Sequence, residues 1–267
     1  MMRVTVKKWR RILAEKGSGN VVIKTINVLP FTQLHLYTNC NVALVQSDEE
    51  KVVIEMDDNL IDSINVDNAT HALYVNSKKR IHVPTFTQGK ITIYFRQLEA
   101  IYMTTHGDVS TYSPLILSHA FVLKMVCHGD TMFDVSAPEM KINATNHGDF
   151  SLHFRGQKLE MNNISSGDSR LNIEVEQVEL VQEGHGDLFL SGNGSSLNVA
   201  NSGHGDVNAD AFLAARVTLL SRGHGDTVVN ASDHLAIHAL GHGSVIYLGT
   251  PTVRLVSHSG HGKIVHK

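Results

Sequence analysis

Gly184-His185-Gly186-Asp187 recurs as Gly203-His204-Gly205-Asp206 and again as Gly223-His224-Gly225-Asp226. Shorter copies stand at His106-Gly107-Asp108, His128-Gly129-Asp130 and His147-Gly148-Asp149, with Ser166-Gly167-Asp168 as a variant. The last two copies, His242-Gly243-Ser244 and His261-Gly262-Lys263, change the final residue. Between the first residues of successive triplets the steps are 22, 19, 19, 19, 19, 20, 18 and 19. A nearly fixed period of this length is the mark of a stacked repeat rather than of a catalytic motif that happens to recur.

The apolar residues keep the same beat. Three positions after the Asp come Phe133, Leu152, Leu171, Leu190, Ala209, Val229 and Tyr247. Ten and twelve positions after it come Met140/Ile142, Leu159/Met161, Val178/Leu180 and Leu197/Val199. One-residue shifts then give Val217/Leu219, Leu235/Ile237 and Val253/Leu255. A spacing of two inside the longer period reads as short strands with one buried face. One such coil cannot bury that face alone, whereas coils stacked roughly 4.8 Å apart close a continuous core. The expected fold is therefore all-β, a single-stranded parallel β-helix with coils of ~19 residues, wound right-handed as strand twist favours. At the turn, Gly is expected to supply a positive φ. The Asp is expected to accept backbone N–H groups that lack a ladder partner at a corner.

Before residue 106 the strand pattern persists with a looser period. Val21–Val28, Leu34/Leu36, Val42/Leu44, Val52/Ile54/Met56, Ala72–Asn76 and Lys90–Phe95 all read as strands. The organisation expected is one continuous β-helix domain over 17–267, with irregular coils carrying longer loops to ~105 and regular coils from 106. Tyr112-Ser113-Pro114, in the longest step, reads as a bulged corner, and Gly192–Ser196 as an opposite corner. Residues 1–16 hold six Lys or Arg against one Glu and read as a basic N-terminal cap or a disordered tail. They resemble the basic start of a signal peptide, but its apolar core does not follow, so a cytoplasmic location is the alternative to export.

Composition narrows the function class. The formal net charge is −3, so the chain as a whole offers no electrostatic footprint for nucleic acid. No apolar run is long enough to form a transmembrane segment. Cys40 and Cys127 have neither a disulfide-framework nor a zinc-ribbon spacing and read as free buried thiols.

The chain also resembles a known family. Gly17-Ser-Gly-Asn-Val, Phe31-Thr-Gln-Leu-His-Leu, Asn41-Val-Ala-Leu-Val-Gln and Glu55-Met-Asp-Asp-Asn-Leu-Ile-Asp carry the resemblance. So do Gln97-Leu-Glu-Ala-Ile and Gly241-His-Gly-Ser-Val-Ile-Tyr-Leu-Gly-Thr-Pro. Together they are similar to the head GIN domain of putative auto-transporter adhesins over residues ~17–267. The resemblance implies a bacterial β-helix protein of the cell envelope or extracellular space, with no established enzymatic activity. The turn here has His where that family mostly has Ser or Gly.

Eight of the seventeen histidines sit in the turns. On a β-helix they would form a column with neighbours roughly 5 Å apart, beside a second column of Asp. Repeat duplication of one acceptable turn explains both columns. The competing reading is a metal-binding edge, with His106, His128, His147, His185, His204, His224, Asp187, Asp206 and Asp226 as candidate ligands. A third is a pH-responsive edge, since protonated neighbours at ~5 Å repel by about 0.8 kcal/mol in bulk water. No catalytic residue and no cofactor site is identified: acidic residues are spread one per coil, and there is no nucleophile elbow, phosphate loop or HExxH. The function expected is a non-enzymatic, adhesin-like binding or scaffold protein that recognises glycan or protein partners through the faces of the helix. Its exposed end coils would allow pairing with another copy. Tyr94, Phe95, Tyr112 and Tyr247 are expected in the core; aromatics grouped on the outside of one sheet would instead favour glycan binding.

Overall fold

The computed structural model describes residues 16–78 and 89–267, so the basic segment expected to cap the helix lies, apart from Lys16, outside the described residues. Among the described residues, twenty-three strands and one 3-10 turn account for the regular structure. The early strands are β1 Val21–Asn27, β2 Gln33–Thr38, β3 Asn41–Gln46, β4 Lys51–Asp57, β5 Ile64–Ala69, β6 Ala72–Ser77 and β7 Gly89–Phe95. After them come β8 Ala100–Thr105, β9 Val109–Thr111, β10 Leu115–Ile116, β11 Phe121–Cys127, β12 Thr131–Ser136, β13 Glu139–Asn146 and β14 Phe150–Arg155. The series continues with β15 Lys158–Ser165, β16 Ser169–Glu174, β17 Gln177–Gly184, β18 Leu188–Asn201, β19 Val207–Ser221 and β20 Thr227–Ala239. It ends with β21 Val245–Leu248, β22 Thr252–His258 and β23 Ile264–His266.

From β8 onward each strand pairs in parallel with its equivalent one coil later, as the 19-residue period requires. One face stacks β8, β11, β13, β15 and β17, followed by the second halves of β18, β19 and β20, then β22. The opposite face stacks β9, β12, β14 and β16, then the first halves of β18, β19 and β20, then β21 and β23. The His-Gly-Asp turns form the corner between the two faces. This is a β-helix.

Each inward position becomes a column. Leu73, Leu34, Ile101, Leu123, Ile142, Met161, Leu180, Val199, Leu219 and Ile237 stack in that spatial order, none more than 3% exposed. All the apolar pairs read from the period are buried except Val253 and Leu255, which belong to the last coil and have no coil above them (40% and 53% exposed). The bulged corner at Tyr112 is also present. Val109 and Leu115, six residues apart, sit opposite Thr131 and Val135, four apart, so two residues are extra.

The first hundred residues depart from a simple succession of coils. β2 lies between β6 and β8, and β3 lies between β7 and β9, so the chain places a later coil beneath an earlier one. Beyond that coil the ladder turns antiparallel: β4 pairs with β7, β1 with β4, and β5 with β6. Period-two alternation identifies a strand but not its neighbour, and these strands were expected as loop-rich coils for that reason. Antiparallel addition closes part of the open end that a solenoid would otherwise present.

Candidate functional site

The turn corner is built by backbone contact. The N–H groups of Asp130, Asp149, Asp168, Asp187, Asp206 and Asp226 each donate to Oδ1 of the Asp one coil earlier, over 2.7–3.3 Å. Asn41 begins the run by accepting from Asp108, and Ser244 ends it by donating to Asp226. The expected acceptor role of Asp is therefore met along the whole corner.

The expected reason for Gly is corrected. Positive φ occurs at Gly19, Gly184, Gly192 and Gly249, not at the Gly of any His-Gly-Asp turn. What excludes a side chain is the close approach of coils: a Cβ on Gly205 or Gly225 would overlap the carbonyl oxygen of Gly186 or Gly205 beneath it. The turn glycines touch one another, and only hydrogen fits between them.

Above this contact the imidazoles stand exposed and stacked. His106, His128 and His147 form one run, with ring centroids 4.3 and 4.6 Å apart. Ser166 interrupts it, and His185, His204, His224, His242 and His261 form a second run at 4.7–4.9 Å. The Asp candidates Asp187, Asp206 and Asp226 have their Oδ1 atoms occupied by the backbone ladder. Among the described residues no three His, Cys, Asp or Glu side chains converge in a way that could hold a metal ion.

A site that the periodic reading missed lies on the first face. His35 of β2 stacks between Tyr74 of β6 and Tyr102 of β8, with centroids 4.5 and 4.8 Å away and planes within 16°. Lys124 of β11 continues the column, its Nζ 5.6 Å from the Tyr102 centroid. Asn143 and Asn162 follow on the next two rungs, joined by an Asn162 Nδ2 to Asn143 Oδ1 hydrogen bond of 3.1 Å. A parallel outward column holds Tyr37, Thr104, Val126, Thr145 and Ile164. The two columns line an open groove of about 870 Å³ that runs along the helix axis. Burial holds the His35 imidazole below its ordinary pKa, so this ring favours the neutral form.

These three rings are distant in sequence and meet only because β2 is inserted between β6 and β8. Each occupies the centre of an apolar-x-apolar triplet, Leu34-His35-Leu36, Leu73-Tyr74-Val75 and Ile101-Tyr102-Met103. That shared triplet is the signal that could have found them. Of the aromatics expected in the core, Phe95 is buried, Tyr94 and Tyr247 are half-buried and Tyr112 is exposed. A second groove of about 520 Å³ lies on the opposite face, where Arg170 sits over the Phe189 ring and His153 Nδ1 approaches Asp134 Oδ2 at 3.4 Å.

The profile of the putative auto-transporter adhesin, head GIN domain family matches residues 30–251. The chain belongs to this family. Among solved structures, a putative adhesin from Parabacteroides distasonis ATCC 8503 aligns with a TM-score of 0.73 at 21% identity, covering 95% of this chain and 100% of its own. A putative adhesin from Parabacteroides merdae ATCC 43184 aligns at 0.64 and 18% identity, covering 94% of this chain and 98% of its own. A third, named a putative lipid binding protein and also from Parabacteroides distasonis ATCC 8503, aligns at 0.58 and 16% identity, with coverage of 94% and 98%. At these identities the likeness establishes the shared fold. No curated protein matches the chain. The family and these neighbours are described as adhesins or a lipid binder rather than enzymes, which points to an external binding partner and a cell-surface or extracellular location. No helix among the described residues is long and apolar enough to cross a membrane.

Proposed function

We propose that this head GIN domain protein is a non-enzymatic, adhesin-like binder that recognises a glycan through the groove of its first face. The observation that carries the reading is the column Tyr74–His35–Tyr102, continued by Lys124, Asn143 and Asn162 along one groove. Stacked rings restrain one another, so the two phenol hydroxyls and the imidazole edge are held in place before a ligand arrives. Amides and hydroxyls on adjacent rungs add donors and acceptors at a constant interval. A linear chain of hydroxyl-bearing units matches that arrangement better than a compact metabolite does, because the groove is long and open and carries polar groups on successive rungs.

The name of one structural neighbour raises lipid as a ligand. Val126 and Ile164 are exposed at 39% and 49%, but they alternate with Thr104 and Thr145, so hydroxyls interrupt the apolar side chains of this column. Metal binding by the turn column would require the stacked rings to separate.

The test is a glycan array followed by calorimetry on the full chain and on Tyr102→Ala and Asn162→Ala. Saturable binding weakened by both changes, with melting temperatures retained, is the expected result. Binding that both variants keep unchanged would remove the groove from the function.

A further inference from the structure

Resting on the reading of the groove as a glycan site, we infer that its ligand is an acidic glycan whose carboxylate meets Lys124 and Asn143. The argument begins with which hydrogen-bonding capacities are spent. Asn143 Oδ1 accepts from Asn162 Nδ2. That leaves its own Nδ2, a donor group, without an acceptor among the described residues. On the neighbouring rung Lys124 is exposed and contacts the Tyr102 ring; no carboxylate pairs with it among the described residues. The other nearby lysines differ. Lys141 pairs with Glu160, and Lys158 with Glu160 and Glu179.

Two adjacent rungs therefore present unspent donors, the charged ammonium of Lys124 and the Asn143 amide N–H2, against a single remaining acceptor lone pair on Asn143 Oδ1. A neutral hydroxyl can satisfy one of these groups, whereas a carboxylate supplies two oxygens and a compensating charge. The aromatic side of the groove adds no competing cation at neutral pH, because burial keeps His35 neutral. Among the described residues, the one carboxylate lining the groove, Glu183, lies on the coil of β17, three coils beyond β11. That is roughly 14 Å at the usual strand spacing, farther than the screening length of about 8 Å at physiological salt. Charge thus selects at the Lys124 end of the groove. Tyr102 sits directly beside it, so a sugar ring and its carboxylate can contact both residues together.

Polygalacturonate and its fully methyl-esterified form share a backbone and differ in the carboxylate, which makes them suitable probes, with a neutral β-glucan as a third. Calorimetry on the full chain is expected to show polygalacturonate bound about tenfold more tightly than the ester at low salt, the advantage shrinking as salt rises. Lys124→Met should erase the difference by weakening only the acidic polymer, and Lys124→Arg should restore it. Tyr102→Ala should weaken both. Equal binding of acid and ester, or an equal loss of both in Lys124→Met, overturns the acidic preference and leaves glycan binding in place. Binding of the β-glucan alone does the same. Binding of none of the three overturns both readings.

Discussion

The backbone N–H of Asp226 donates to Oδ1 of Asp206 at 2.7 Å, and Asp206 donates to Asp187 in the same way at 2.8 Å. The repeated Asp is thus a coil-to-coil fastener, with its side chain holding the backbone of the next coil. This explains why Asn41 can stand at the foot of the run, since an amide oxygen accepts the same bond from Asp108 at 3.0 Å.

Replacing Asp206 should therefore separate acceptor from charge. Asp206→Ala removes the acceptor for the Asp226 N–H and should cost about 1.5 kcal/mol, the low end for a hydrogen bond to a charged group because the site is exposed. Asp206→Asn keeps the acceptor and should cost less than half of that. Urea denaturation of the three proteins measures the difference, and equal losses in the two variants would refute the fastener role.

The turn glycines give a steeper test. A Cβ at Gly205 has no room against the Gly186 carbonyl below, and the Gly205 carbonyl is itself in the way of any Cβ on Gly225. Gly205→Ala should destabilise by about 1–3 kcal/mol, as overpacking of a close contact does. Gly19, whose Cβ direction is open, is the control for steric crowding, although its φ of +87° carries a separate strain. If Gly205→Ala proves as stable as the parent in urea, the coils are not packed through these glycines.

Much of this corner was legible in the sequence because stacking copies local chemistry. One turn read once predicts all its rungs, so the columns of His, Asp and buried Leu or Ile followed from the period alone. The reason for Gly did not follow, since a clash with the neighbouring coil is invisible from within one turn. The groove was hidden for a different reason. His35 and Tyr102 are adjacent in space but belong to strands separated by β3, β4, β5, β6 and β7, and the detour has no period to follow. Spacing reports which residues face out, and only topology reports which of them meet.

Metal affinity should be low at the turn column despite its eight imidazoles. Neighbouring rings stack face to face, from 1° between planes for His224 and His242, 4.8 Å apart, to 29° for His185 and His204. Their in-plane lone pairs run side by side, while zinc needs nitrogens at about 2.0–2.1 Å from a common centre. Calorimetric titration of tag-free protein with zinc, nickel and copper should show no micromolar site. Micromolar heat that vanishes when His185, His204 and His224 are changed to Ser would show that the rings unstack to chelate.

Both thiols should be inert in the folded protein. Burial raises Cys40 and pushes Cys127 up to about 12, and neither side chain is more than 1% exposed. The nucleophile is the thiolate, so native protein should react with a thiol reagent such as DTNB only at the rate of unfolding. Fast reaction of either cysteine at pH 7.5 without denaturant would contradict the packing of the corner at β2 and β11.

His35 links the groove to pH. Its folded pKa lies below the ordinary 6.5 because burial between Tyr74 and Tyr102 disfavours the charged ring. In the unfolded chain it takes up a proton near 6.5. Below that value the unfolded state binds more protons than the folded one, so the stability that neutral His35 contributes is present above 6.5 and is lost as pH falls toward the folded value. Comparison with His35→Gln isolates this contribution from those of all other groups. Urea midpoints at pH 8 and pH 5.5 should fall further for the parent than for the variant, and ligand affinity should follow the same order if the aromatic column forms the binding surface. An identical fall in the two proteins would mean that His35 is as freely solvated as the turn histidines, and that the column is not held together by its burial.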